Sequence, residues 1–493
     1  MVMRVSRRIF LGGMLGALAE AGQAAAPGVS LRPRQRPAGV AARAAPEIET
    51  LIRAARLDSD VCYAVVDLQS GTTLEARNPR AGKPPASVTK MLTTLYALDA
   101  LGPDFRFETR LLATGPLRDG VLEGDLILAG GGDPTLDTDA LARMAAELKR
   151  LGLRELRGRL RVWAGALPFK RMIDRTQPEQ AGYNPALSGL NLNYNRVRFE
   201  WKRAGADYAL TLDARTARYR PEVRVARISA VTRNLPVYTY ADRGDHDQWT
   251  VARVALGNGG ERWLPVRKPE AYAAEVFATL ARAHGILMKT GAPLDAPPEG
   301  RVLVTRKSAA LQGILQEMLK YSTNLTAELV GMTATAHRLD RPVTMRASAR
   351  EMSRWARAHL GLEGASLVDH SGLGIASRLS AGALAGALAR SQQKQLLRPM
   401  LKEFSLRAEA PENDTATVMA KTGTLYFVSA LAGYVTPGSG RDLAFAIFTA
   451  DTDRRAGFDP ASGQRPPGAR GWTRRSRKLQ RQLIARWGRI YQG

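Results

Sequence analysis

Three short stretches in this 493-residue chain carry residue types that together can perform acyl transfer: Ser87-Val88-Thr89-Lys90, Ser322-Thr323-Asn324 and Lys421-Thr422-Gly423-Thr424. A serine hydroxyl becomes a useful nucleophile only when a neighbouring base takes its proton. Lys90, three residues after Ser87, shares its face of a helix and stands within reach. Lysine serves as a base when desolvation and a neighbouring cation lower its pKa toward neutrality. Small and proline residues precede Ser87. This places it at a helix N-terminus, where free N–H groups favour a developing anion.

The other two stretches supply what such a nucleophile requires. Ser322 is expected in a loop between two helices, relaying a proton toward the leaving amine, with Asn324 orienting Lys90 and binding a substrate amide. Lys421 and Thr422 offer charge and a hydroxyl for a terminal carboxylate. Gly423 lets a substrate backbone approach a strand closely. The N–H groups of Thr424 and Ser87 are candidates for an oxyanion hole, worth ~3 kcal/mol per donor. Each tripeptide alone is a weak signal, and two of the patterns recur, at Ser391-Gln392-Gln393-Lys394 and at Lys289-Thr290-Gly291. Ser391 falls near the end of a helix in a polar tract. Lys289 runs into a proline-rich stretch expected to be unusable by a strand. Both are set aside.

The order Ser-x-x-Lys, Ser-x-Asn, Lys-Thr-Gly is that of penicillin-binding proteins and class A β-lactamases. Within that superfamily the chain resembles the class C low-molecular-mass penicillin-binding proteins, D-alanyl-D-alanine carboxypeptidases and endopeptidases of the DacB kind. The resemblance runs from about residue 48 to the end. It includes the 235 positions between Ser87 and Ser322, together with Gly124-Asp125-Leu126-Ile127-Leu128, Gly132-Asp133-Pro134-Thr135-Leu136, Asn191-Leu192-Asn193-Tyr194-Asn195 and Asp369-His370-Ser371-Gly372-Leu373. It implies an α/β (α+β) fold, a penicillin-binding transpeptidase/β-lactamase-like domain with helices flanking an antiparallel sheet, interrupted by a strand-rich inserted region. It also implies Ser87 as the acylated residue, Lys90 as base, Ser322 and Asn324 as relay and orienting residues, and Lys421 to Thr424 as the carboxylate and oxyanion side. The implied substrates are the D-Ala-D-Ala ends of peptidoglycan stem peptides, with β-lactams as inhibitors and no cofactor or metal. Two positions depart from the family pattern: Ala164 stands where an aspartate is often found, and Ile375 where an arginine often follows Ser-Gly-Leu, although Arg378 is near. The glycine-rich segment that many relatives carry before Lys-Thr-Gly is missing from residues 399–420. A serine β-lactamase or esterase on the same fold is the nearest rival, but its deacylating glutamate is not evident. A non-catalytic cell-wall-binding protein is the rival from another class.

The elements that must position these residues are readable in outline. Residues 1–26, with Ser6-Arg7-Arg8-Ile9-Phe10-Leu11 before a Gly- and Ala-rich stretch, resemble a twin-arginine export signal, and 27–45 read as a linker. This predicts an exported, periplasmic protein. A helix over 47–55, a strand over 62–68 and a helix from Ser87 to about Leu101 come next. From about 105 to 285 the chain reads mostly as short strands and turns. Helical periodicity returns over 271–283 and 308–336, then helices over 347–359 and 381–392 alternate with strands over 428–435 and 443–449. The peptidase domain is therefore expected over 46–105 and 285–493, split by an insertion over 106–284. The single cysteine, Cys62, lies in an apolar strand and reads as a buried inert thiol. Five scattered histidines show no ligand spacing, and His370 reads as a loop residue rather than a base. The net charge of +26 suggests nucleic acid. However, the arginines are dispersed and no nucleic-acid motif is present. The densest group, Arg474, Arg475, Arg477, Lys478 and Arg481, lies on a C-terminal helix, and attraction to an anionic envelope surface, with at most peripheral membrane contact, is the simpler expectation.

Overall fold

The computed structural model describes residues 46–57, 60–391, 394–406, 416–438, 440–458 and 465–491. The expected export signal and linker over 1–45 lie outside the described residues. The fold is mixed α+β. Its largest sheet has six antiparallel strands in the order Lys402–Glu403, Thr417–Leu425, Val428–Thr436, Leu443–Ala450, Val61–Asp67, Thr73–Arg77.

Alternation along the central strands builds two cores at once, because successive side chains point to opposite faces. Cys62, Ala64, Val66, Ala444, Ala446 and Phe448 face one apolar cluster, which includes Met91, Leu95 and Leu384 from covering helices. Val61, Tyr63, Val65, Phe445 and Ile447 face the other, filled by Trp472, Leu479, Leu483 and Trp487 of the C-terminal helix Ala469–Ile490. Strands buried on both faces read as nearly continuous apolar runs, as these do. Cys62 is buried within this arrangement, and burial pushes its thiol pKa up, which keeps it protonated and unreactive. The alanines of Ala381–Arg390 pack on the small residues of the first face.

The remaining sheets are smaller. One pairs Arg301–Lys307 with Glu108–Ala113, followed by Leu126–Gly130 and Leu160–Trp163. Two three-stranded sheets occupy the chain from Arg196 to Pro265. The reading of 105–285 as mostly strands and turns missed the helix Thr138–Arg150. Its signals were present: the Asp137 side chain accepts from the Ala140 N–H as an N-cap, and Leu141, Met144, Ala145 and Leu148 form its buried stripe. The helical stretch over 308–336 is two helices, Leu311–Tyr321 and Asn324–Leu339, parted as expected at Ser322, which adopts the left-handed conformation (φ 58°). Lys289-Thr290-Gly291 does use a strand: the Leu160 N–H bonds the Lys289 carbonyl, and the Gly291 N–H bonds the Leu160 carbonyl. The prolines that follow limit the run, but three residues suffice to extend that edge.

The C-terminal helix holds the second core shut. Trp487 is fully buried and its indole N–H bonds Glu75 at 2.9 Å. Trp487→Ala is expected to cost about 3–5 kcal/mol in equilibrium urea unfolding, as large-to-small changes in a packed core do.

Candidate active site

Ser87 lies in a short 3-10 turn, Ala86–Val88, that leads directly into the helix Thr89–Leu101. Ala86 adopts φ 46°, a conformation unusual for a residue with a Cβ. Two close approaches surround this turn. A Cβ on Gly423 would stand 2.8 Å from the Pro85 carbonyl oxygen and 2.9 Å from the Ser87 nitrogen. A Cβ on Gly372, itself at φ 75°, would fall 1.8 Å from the Ala86 carbonyl oxygen. Gly423 was expected to admit a substrate backbone; the structure gives it a second reason, contact of its own strand with the serine turn.

Lys90 is 0% exposed, and its amine makes three contacts: Ser87 Oγ at 3.1 Å, Asn324 Oδ1 at 2.8 Å and the Ser371 carbonyl at 2.7 Å. The last two are acceptors only, whereas a hydroxyl both donates and accepts. A neutral amine has two N–H bonds and one lone pair. Its N–H bonds satisfy Asn324 and Ser371, which leaves the lone pair facing the Ser87 hydroxyl. Burial, then the positive charge of Lys421, pulls the Lys90 pKa well below its ordinary value, with Glu328 and Asp369 opposing.

Glu328 was not singled out in the sequence, and Asp369 was named only as part of a family segment. Both are buried beneath this site. Glu328 accepts from the N–H groups of His370 and Ser371 at 3.0 and 2.9 Å, clamping the peptide whose carbonyl holds Lys90. Asp369 accepts from Gly372 and Gly374 at 2.7 and 2.6 Å, closing the next turn. Burial and mutual repulsion push the Glu328 carboxyl above the usual range, and burial does the same to Asp369. The signal for Glu328 was an acid enclosed by Leu325, Ala327, Leu329 and Val330. The His370 ring is buried between Ser348 and Met352, and burial lowers its pKa to about 3, so it stays neutral.

Ser322 and Lys421 meet opposite. The Lys421 amine donates to Ser322 Oγ at 3.0 Å and to the Thr422 carbonyl at 2.7 Å, and burial lowers its pKa to about 8. The amide of Asn324 also donates to the Tyr183 carbonyl at 3.0 Å, which ties in a loop far away in sequence. Ser87, Ser322, Asn324 and Thr424 line one cleft of about 710 Å³, together with Gln177, Tyr183 and Arg455, three residues that sequence reasoning missed. Thr422 is exposed and is not among the cleft's described lining; Thr424 is. The strand Lys402–Glu403 stops opposite Met419 and Ala420, so from Lys421 onward this edge of Thr417–Leu425 has no strand neighbour among the described residues. An extended peptide can add to such an edge. Of the departing positions, Ala164 is buried in the core of the smaller sheets, and Ile375 packs beside Ala86 and Val428. Arg378 spends its guanidinium on the carbonyls of Ile375 and Ser377.

The profile of the D-Ala-D-Ala carboxypeptidase 3 (S13) family matches residues 44–463. The chain belongs to that family. An S13 member is a serine-type carboxypeptidase, and the site above meets what that chemistry asks. The D-alanyl-D-alanine carboxypeptidase of Actinomadura sp. (strain R39) is 29% identical over 443 residues, covering 81% of this chain and 80% of that protein. The D-alanyl-D-alanine carboxypeptidase DacB of Haemophilus influenzae is 24% identical over 396 residues, covering 74% and 79%. The crystal structure of penicillin-binding protein 4 (dacB) from the same organism shares the S13 fold seen here, with a TM-score of 0.72 at 20% identity over 89% of this chain and 99% of that one. The same protein has been solved in complex with a β-lactam.

Because Gly423 leaves no room for a Cβ against the serine turn, Gly423→Ala is expected to displace the strand. Acylation by a labelled penicillin should slow roughly 10²-fold, as misplacement near 1 Å does. An unchanged acylation rate would show that the close approach is not needed.

Proposed function

We propose that Ser87 is the acylated nucleophile of a D-Ala-D-Ala carboxypeptidase acting on peptidoglycan stem peptides. The observation that carries this reading is the buried Lys90 amine, 3.1 Å from Ser87 Oγ, with Asn324 Oδ1 and the Ser371 carbonyl placed to take its N–H bonds. Lys90 takes the hydroxyl proton as Ser87 Oγ attacks the penultimate D-Ala carbonyl, and the N–H groups of Ser87 and Thr424 receive the oxyanion. Ser322 gives its hydroxyl proton to the leaving amine and is reprotonated by the Lys421 ammonium that donates to its Oγ. D-Ala departs. As water hydrolyses the ester, Lys90 returns its proton to Ser87 Oγ, and the proton released by the new carboxylic acid restores Lys421. The positive charge of Lys421 also draws the terminal carboxylate. Asn324 holds Lys90 and offers its amide to the substrate. Gly423 and Thr422 belong to the open edge along which the peptide lies. The same serine is the expected target of β-lactams, and the open cleft also suits cross-linked peptides, hence endopeptidase activity.

The export signal over 1–26 directs the enzyme to the periplasm, where this substrate lies. Among the described residues, no helix is long and apolar enough to cross a membrane. The inserted region is read as running to about residue 307, because Arg301–Lys307 pairs with Glu108–Ala113 rather than with the six-stranded sheet.

A β-lactamase requires a deacylating base at the serine. Among the described residues, no carboxylate lines this cleft, which favours the peptidase. Intact-mass measurement after exposure to labelled penicillin should show one slowly lost adduct, mapped to the peptide containing Ser87. In Ser87→Ala the adduct should be absent and D-Ala release should fall by about 10⁴-fold or more. Rapid turnover of a chromogenic β-lactam, or an adduct on another serine, would overturn the reading.

The pH dependence tests Lys90. Its neutral form is the base, so acylation is lost on acidification as the amine becomes charged. Lys421 lowers the Lys90 pKa by repelling that charge. Removing the repulsion raises the pKa. Lys421→Met should therefore move the acid limb of the acylation profile to higher pH, and a limb moving to lower pH would contradict the assignment.

A further inference from the structure

The C-terminal helix packs its apolar stripe on the sheet and presents another face to the cleft. Arg470, Arg474, Arg477 and Arg481 recur at spacings of four, three and four residues, which puts them on one side of that helix. All four line the cleft that holds Ser87, Ser322 and Asn324, and Arg465 and Arg455 join them. The described lining includes no acidic residue. None of the six arginines has an ion-pair partner among the described residues. Arg477 donates to Thr424 Oγ1 at 3.2 Å, which ties the row directly to the strand edge, and Arg481 lies over the Phe404 ring.

This arrangement works against stability. Like charges three and four residues apart repel, and Arg470 and Arg474 stand in the first turns of the helix, where the macrodipole already favours anions over cations. Among the described residues no carboxylate pairs with them, which leaves the row open to an incoming anion. The row is largely exposed but borders the nucleophile's cleft, where a bound substrate can supply that anion.

We propose that this arginine row is a carboxylate subsite, and that the enzyme takes acidic peptides carrying free carboxylates besides the one at the C-terminus. The proposal deepens, and rests on, the reading of Ser87 as the acylated residue. It gives the positive charge of the C-terminal helix a specific use in place of a general attraction to the envelope.

The test compares kcat/KM for two synthetic peptides ending in D-Ala-D-Ala. One has free carboxylates on its preceding residues, and the other has the same carboxylates amidated. Wild-type enzyme should prefer the carboxylate peptide, and added salt should weaken the preference. In Arg470→Gln/Arg474→Gln the preference should drop roughly tenfold. Lys478→Gln removes the same kind of charge from a residue outside the cleft lining and should keep the wild-type preference. A preference unmoved in the double variant, as expected if the row serves an anionic polymer instead, would overturn the proposal, as would equal loss on both peptides. Penicillin acylation of the double variant, followed by intact mass, separates the two readings: a Ser87 adduct with unmoved preference sinks only the subsite. A missing adduct in wild type sinks both.

Discussion

The site depends on one costly act, the burial of a lysine amine among oxygens without a direct carboxylate partner. A buried charge is expensive, so the amine relieves the cost by favouring its neutral form. That form bonds well only if its two acceptors and one hydroxyl are fixed. Fixing them explains much of the surrounding construction. Asn324 starts a helix just after the left-handed Ser322. The Ser371 carbonyl is held because Glu328 grips the neighbouring N–H groups. Ser87 is fixed by a turn wedged between Gly372 and Gly423. Three segments distant in sequence are thereby joined at one nitrogen.

The sheet supplies the rigidity this needs. Its central strands are buried on both faces, and several polar groups beside the second core are paired. Thr449 and Ser476 share a hydrogen bond at 2.6 Å, and Gln480 donates to Ser429. The strand bearing Lys421, Gly423 and Thr424 pairs along its full length with Val428–Thr436, so its outer edge can stay open without fraying. A helix that closes this core also walls the cleft, which couples the two by construction.

Much of this was legible locally. Ser87 and Lys90 sit three residues apart on one helical turn, and alternation along 443–449 and 428–435 marks strands whichever way they pack. The order of the three motifs, read as a family resemblance, anticipated the fold. What stayed hidden depends on tertiary placement. Tyr183 reaches Asn324 through its backbone carbonyl, which no side-chain pattern announces. Of the row, Arg474, Arg477 and Arg481 were read only within a dense group that also held Arg475 and Lys478, and Arg470 was not noticed. Arg475 in fact donates to the Ala55 carbonyl elsewhere. The Asn191–Asn195 stretch carries a family motif, yet its amides satisfy backbone groups and one another inside the scaffold. A motif can mark a folding requirement as readily as a reacting group.

The pairing of Val61 with Thr449 has a consequence for when the enzyme becomes competent. The serine is made early in synthesis, but of the strands flanking Val61–Asp67 only Thr73–Arg77 precedes it, and Leu443–Ala450 arrives in the last fifth of the chain. Contacts so distant in sequence form late, since long loops must close before they are rewarded. An emerging polypeptide therefore carries its nucleophile without the wall, the lysine contacts or the strand edge that give it reactivity. The assembled site requires the strands between Thr417 and Ala450, so a chain ending before them carries the serine without its cleft.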